Sequence, residues 1–214
     1  EHYHSTKGAR TESQHIFIDM GLKASPAATP RVLEIGFGTG LNAWLTLEEA
    51  ERSRRNIHYI GLELYPLDWQ TVEQLGYISS DEQLTIHRKQ TTTDEQFTPN
   101  EEKQQSAIEL FKQLHTSPWE KDVQLTPHFT LRKIETDVNK WRVENSPFNL
   151  VYFDAFAPEK QPEMWSQELF NRLYVLLDRD GILTTYCAKG VVRRMLQTAG
   201  FTVERLPGPP GGKR

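Results

Sequence analysis

Apolar positions along the chain fall into two kinds of run, and their order predicts the architecture. Residues 32–35 and Phe148–Phe153 are short, nearly continuous apolar stretches of the kind buried on both faces of a parallel sheet. Residues 57–64 and 181–186 read as further strands, and residues 129–134 alternate with a period of two. Between them, residues 41–52, 66–76, 107–115, 162–177 and 191–199 repeat apolar side chains at helical spacing. Gly200 follows the last of these, where a helix favours glycine. Residues 201–206 predict a final strand. Strands alternating with helices imply right-handed crossovers, hence an α/β fold with a doubly wound, mostly parallel sheet. Two segments break the rhythm. Residues 1–30 precede the first strand as an N-terminal extension and candidate lid to the single domain at 31–214. Residues 90–106 are polar and acidic and are expected to be a flexible insert.

Composition narrows the class. With 214 residues, 37% hydrophobic and 25% charged, the chain is long enough to bury a core without staples. A single cysteine, Cys187, excludes a disulfide framework and a cysteine-rich zinc site. His2, His4 and His15 lack ligand spacing, so no metal is expected. No apolar run reaches the ~18 residues of a membrane span. The chain begins at Glu1 with no signal-peptide pattern and is read as part of a longer, cytoplasmic protein. The net charge of −4 argues against bulk attraction to nucleic acid, yet the segment from Ala188 onward holds six basic residues against one acid, Glu204. A local basic face can still hold a polyanion, because phosphate contacts act within a Debye length of roughly 10 Å.

The candidate chemistry lies at the strand ends. The first strand runs into Gly36-Phe37-Gly38-Thr39-Gly40, and glycines let a backbone approach a ligand closely and take positive φ. A dinucleotide fingerprint, G-x-G-x-x-G, would need glycine where Leu41 stands. The glycines fall instead at alternate positions, with Glu34 two residues before the first. This arrangement resembles motif I of class I S-adenosyl-L-methionine-dependent methyltransferases, whose ligand carries no phosphate. Glu63 ends the second strand, where a carboxylate can accept from both ribose hydroxyls, a feature that a dinucleotide site shares. Asp137 follows the strand at 129–134, either near an adenine amino group or as the cap of a short helix. Asp154 ends the strand Phe148–Phe153, at the sheet edge where open α/β folds bind ligands. In amine methylases of the fold it resembles, a polar residue here orients the nucleophilic nitrogen and an aromatic one packs on a flat acceptor. Asp154 and Phe156 suit those roles, since in-line methyl transfer depends on alignment and on stabilising charge at nitrogen. The plainer alternative for Asp154 is a strand-end turn residue.

Residues 154–165, D-A-F-A-P-E-K-Q-P-E-M-W, closely resemble the methyltransferase domain of the bifunctional tRNA 5-methylaminomethyl-2-thiouridine biosynthesis proteins, whose pattern is D-[AG]-F-A-P-x-K-x-P-[ED]-M-W. Residues 12–17, 36–42 and 192–201, and the glycine-lysine-arginine ending at 211–214, agree with the same family. Cys187 and Lys189 depart from it, standing where the family carries small or hydroxyl residues. The resemblance implies methyl transfer from S-adenosyl-L-methionine to the amine of 5-aminomethyl-(2-thio)uridine at the tRNA wobble position. It implies Asp154 and Phe156 as catalytic. The cofactor would be held by Glu34, Gly36, Phe37, Gly38, Gly40, Asn42, Glu63, Asp137 and Asp154. Arg193, Arg194, Lys213 and Arg214 would face the RNA. The flavin-dependent oxidase half of the family is not in this sequence, so a stand-alone methyltransferase is expected. Three rivals stay open: a methyltransferase of small-molecule amines, a non-catalytic adaptor, and an NAD-type oxidoreductase, the last disfavoured by Leu41.

Overall fold

The computed structural model describes residues 2–87, 102–143 and 147–209, with side chains from Thr6 onward. Lys213, Arg214 and residues 90–101 of the expected insert lie outside them. Helix α1, His2–Ser13, continues as a π-helical stretch over Gln14–Leu22. Then come β1 (Arg31–Ile35), α2 (Leu41–Ser53), β2 (Ile57–Glu63), α3 (Trp69–Glu73), β3 (Gln83–His87), β4 (Glu102–Ser106) and α4 (Ala107–Thr116). The second half adds β5 (Val123–Thr126), β6 (Phe129–Glu135), β7 (Phe148–Phe153), α5 (Gln167–Leu176), β8 (Leu177–Thr185) and α6 (Gly190–Ala199). Six strands make one sheet in the order β5-β6-β2-β1-β7-β8, parallel throughout except where β5 meets β6. The expected doubly wound sheet is therefore present.

Alternation along the central strands divides their side chains between two cores. On one face Val32, Tyr59, Leu150 and Tyr152 pack with Trp44 and Leu47 of α2 and Phe111 of α4. Phe17, Ile18 and Leu22 of the π-helical stretch close that face, so the end of the N-terminal extension is built into the core. On the other face Leu33, Ile35, Ile60, Val151 and Phe153 pack with Phe170 and Leu173 of α5 and Val192 and Leu196 of α6. Burial on both sides explains why these strands read as continuous apolar runs.

Four expectations are corrected. The helix after Pro66 begins only at Trp69 and lasts five residues, because the Asp68 carboxylate accepts from the Thr71 amide at 2.8 Å and sets its start. The stretch 162–177 splits into a 3-10 turn, Pro162–Met164, and α5, whose first turn is capped by Ser166 Oγ accepting from the Leu169 amide at 3.1 Å. Residues 102–106 of the expected flexible insert form β4, paired antiparallel with β3 from Gln83↔Ser106 to His87↔Glu102. Residues 201–206 form no strand. Side chains hold that segment instead: Phe201 stands edge-on to Tyr174 with centroids 5.1 Å apart, and His15 Nε2 donates to the Pro207 carbonyl at 2.7 Å. Among the described residues no helix is long and apolar enough to cross a membrane, and no group of three or more His, Cys, Asp or Glu is placed to hold a metal.

Candidate active site

The carboxyl ends of β1, β2, β6 and β7 open into one cleft of about 580 Å³. It lies where the strand order reverses, since the chain leaves β1 toward β2 on one side and returns as β7 on the other. Gly36, Phe37, Gly38, Asn42, Glu63, Asp137, Asp154 and Phe156 all line it. Glu34 and Gly40 do not; they stand behind its wall. Arg193 and Arg194 are exposed on α6, away from the lining, and Lys213 and Arg214 lie outside the described residues.

One wall is the glycine turn. Gly36 and Phe37 donate their amides to the Leu62 carbonyl at 3.1 and 3.0 Å, folding the chain over the end of β2. Gly36, Gly38 and Gly40 take φ of 89°, 53° and 76°. A Cβ on Gly36 would stand 2.8 Å from the Asp154 carbonyl oxygen, so only glycine lets the two strand ends lie this close. Glu63 Oε1 accepts from the Gly38 amide at 2.8 Å while Oε2 accepts from the Leu64 amide at 2.9 Å. Behind the turn, the Phe37 ring presses on Gly61, where a Cβ would come within 2.6 Å of it. That ring meets His115 and Trp119 edge-on, at centroid distances of 5.8 and 6.4 Å. Lys133 donates to the His115 carbonyl at 2.7 Å and its ammonium lies 4.8 Å from the Trp119 ring centre. Burial lowers Lys133 to about 8, and burial together with the Lys133 charge pushes His115 down to about 4. Sequence reading missed this wedge. Its one signal was Gly61 inside a strand, which marks a close approach.

Asp154 sits where the two walls meet. Its amide donates to the Ile35 carbonyl at 3.0 Å, and its Oδ2 accepts from Asn42 Nδ2 at 2.8 Å. The same Asn42 nitrogen donates to Glu34 Oε2 at 2.9 Å. Glu34 is fully buried, and burial, with the neighbouring Asp154 charge, pushes its carboxyl well above the usual range. The two carboxyl groups thus share one amide nitrogen as donor. Asp154 is pushed up to about 6, first by burial and further by the charge of Glu12, against the opposing Asn42 hydrogen bond. Asn42 Oδ1 is buried without a partner in the protein.

The second wall is the loop after β7. Tyr186 donates to the Ala155 carbonyl at 2.7 Å, Trp165 Nε1 donates to the Phe156 carbonyl at 2.8 Å, and the Phe156 amide donates to Gln161 Oε1 at 3.2 Å. The Phe156 backbone is thus fixed while the residue is 70% exposed on the cleft lining. Trp165 is buried beneath this loop and does not line the cleft. Asp137 caps a turn through the Asn139 amide at 2.9 Å; that turn does not extend into a helix, and the residue remains on the cleft wall. Lys189 at the start of α6 pairs with Glu159, which sets the basic helix beside the loop. Ala9 and Ser13 of α1, Leu64, Tyr65 and Leu67 after β2, Tyr77, Lys160 and Tyr186 also line the cleft and were not singled out from the sequence.

Residues 98–214 match the family described as S-adenosyl-L-methionine-dependent methyltransferase. The tRNA 5-methylaminomethyl-2-thiouridine biosynthesis bifunctional protein MnmC of Cupriavidus metallidurans is 30% identical over 219 residues, covering 99% of this chain and 30% of that protein. The protein of the same name from Marinomonas sp. is 28% identical over 220 residues, covering 96% of this chain and 29% of that protein. The chain spans less than a third of the length of these relatives. Among solved structures, MNMC2 from Aquifex aeolicus superposes with a TM-score of 0.62 at 21% identity, over 91% of this chain and 55% of that one. This likeness is one of fold.

Proposed function

The chain belongs to this family of S-adenosyl-L-methionine-dependent methyltransferases, and from that premise we propose that it methylates the amine of 5-aminomethyl-(2-thio)uridine at the wobble position of tRNA, giving 5-methylaminomethyl-(2-thio)uridine. The names of the relatives support the acceptor. The observation that carries the reading is the Asp154 carboxylate, held by Asn42 between the glycine turn and an exposed aromatic residue in one cleft.

The residues fit the donor. The cleft has the volume of a small-molecule site, its turn admits a ligand where a Cβ would block it, and the buried Asn42 Oδ1 is left without a protein partner. Gly36, Phe37, Gly38, Asn42, Glu63 and Asp137 would hold the donor, with Glu34 and Gly40 supporting them from behind. When bound, it supplies an electrophilic methyl group on a sulfonium. A primary amine attacks only when neutral. Asp154 accepts a hydrogen bond from that amine, aims its lone pair, and stabilises the positive charge that grows on nitrogen. Asn42 keeps the Asp154 carboxylate in place, and Phe156 packs on the uracil plane. Arg193, Arg194, Lys213 and Arg214 would contact tRNA phosphates, in the cytoplasm where tRNA is modified. Residues 31–214 would form the catalytic domain, with α1 of the N-terminal extension closing one side of the cleft.

The test is incubation of the purified protein with labelled S-adenosyl-L-methionine and tRNA from cells lacking this modification, followed by mass analysis of the digested nucleosides. Gain of one methyl group on aminomethyl-uridine, lost in Asp154→Ala, is expected. Label on small-molecule amines with none on tRNA overturns the reading.

A further inference from the structure

We propose that Lys160 holds a phosphate of the acceptor strand, so that the site takes its uridine from within an RNA and disfavours the same base as a free nucleoside. This rests on the acceptor reading above and adds to it how the strand is seated. Among the described residues Lys160 is the one Lys, Arg or His that lines the cleft, whose other charged lining groups are Glu63, Asp137 and Asp154. Its place is set by a tight turn: the Lys160 and Gln161 amides both donate to the Ala157 carbonyl, at 2.8 and 2.9 Å. The turn places Lys160, exposed, on the cleft lining within the loop that carries Phe156. The adjacent carboxylate, Glu159, is engaged by Lys189, and among the described residues no carboxylate lies within ion-pair distance of Lys160.

An unpaired ammonium on the wall of a cleft otherwise lined by carboxylates suits an anionic ligand. Uracil is neutral and the reacting amine is a cation when protonated, so on the acceptor only the phosphates offer negative charge. A phosphate contact positions a nucleotide without reading its base, which leaves the base to Phe156 and the amine to Asp154. The donor's own carboxylate is the other anion available. It would be expected against the glycine turn, whereas Lys160 belongs to the opposite wall with Phe156.

The experiment compares wild type, Lys160→Gln and Lys160→Arg. It measures kcat/KM on an anticodon stem-loop carrying 5-aminomethyl-uridine and on the free nucleoside, each across a salt series. S-adenosyl-L-methionine affinity is measured by calorimetry alongside. In Lys160→Gln, the ratio of stem-loop to nucleoside kcat/KM is expected to fall roughly tenfold near 0.1 M salt, and the log–log salt slope on the stem-loop to drop by about one. Lys160→Arg should restore most of both. An unchanged ratio with an active wild type overturns the inference alone. Weakened donor affinity with an unchanged salt slope also overturns it and reassigns Lys160 to the donor carboxylate. No transfer to the stem-loop by wild type overturns the acceptor reading and this inference together.

Discussion

The glycine turn and the loop after β7 face each other across one cleft, yet they are supported in different ways. The turn is backed by packed groups: Phe37 is wedged against Gly61 and the half-buried His115 and Trp119, and its backbone is bonded to β2. The loop is held by three hydrogen bonds, from Tyr186, from Trp165 and to Gln161, and it presents Phe156 and Lys160 to solvent. A donor common to a whole family can be met by a rigid cradle formed as part of the core. An acceptor that must enter from a large molecule needs an open rim. Changes to the first wall should therefore act on stability and donor affinity, and changes to the second on turnover and acceptor affinity. Asp154 belongs to both, because its carbonyl is the atom that Gly36 must clear.

The largest effect is expected at that junction. Asp154→Ala should lower single-turnover methyl transfer by about 10²–10³-fold at saturating donor, the size seen when one preorganised electrostatic group is removed. An undiminished rate would detach the carboxylate from the chemistry. On the cradle side, Gly61→Ala forces a methyl group into the Phe37 ring and should cost about 1–3 kcal/mol, measured by urea unfolding, with weaker donor binding. Equal stability would mean that the wedge is slack and the contrast between walls unfounded. On the rim side, Phe156→Ala should lose about 1–3 kcal/mol of acceptor binding, in line with base stacking on an aromatic ring. Its melting temperature should stay unchanged because the ring is exposed; a drop would make the rim part of the core.

A smaller effect comes from titration. Asp154 is raised to about 6 in the folded protein, above its ordinary value of 3.8, so the folded state holds the proton more tightly. The stability tied to that proton is present below pH 4 and is lost as pH rises through about 6. Asp154→Asn should therefore stabilise the protein at pH 7 by on the order of 1–2 kcal/mol, a gain that vanishes near pH 4. Thermal melts across that range check it. The smallest effects are expected on α6. Arg193→Ala or Arg194→Ala should weaken tRNA binding a few-fold at low salt and reduce the salt slope by about one each, with donor affinity untouched.

How much of this was legible in the sequence follows from how local each signal is. The central strands announce themselves because burial on both faces demands apolar runs, and Gly36, Glu63 and Asp154 follow as the residues that end them. The β3–β4 pair was invisible because β4 is polar and largely exposed, and its pairing with β3 is fixed across a long separation in sequence. Residues 201–206 carry a strand-like pattern, but alternation reports only a half-buried segment, and Phe201 satisfies it by packing on Tyr174. Glu34 looked like a donor ligand from its place beside the glycines. Strand alternation puts it on the face of Val32 and Tyr59, beneath α2, so it reaches the cleft only through Asn42. His115, Trp119 and Lys133 come from a helix, a loop and a strand, and only the fold brings them behind Phe37. Lys160 lies within the most distinctive motif of the chain, yet its isolation among carboxylates is a property of the assembled cleft.

The most direct test of the two-walled cleft is single-turnover transfer of labelled methyl from S-adenosyl-L-methionine to aminomethyl-uridine tRNA, with wild type and Asp154→Ala compared at saturating donor. The expected result is methylaminomethyl-uridine from the wild type and a rate loss of about 10²–10³-fold in the variant, which still binds the donor. Donor binding by both proteins with no methylated uridine from either, or equal rates from both, would contradict it.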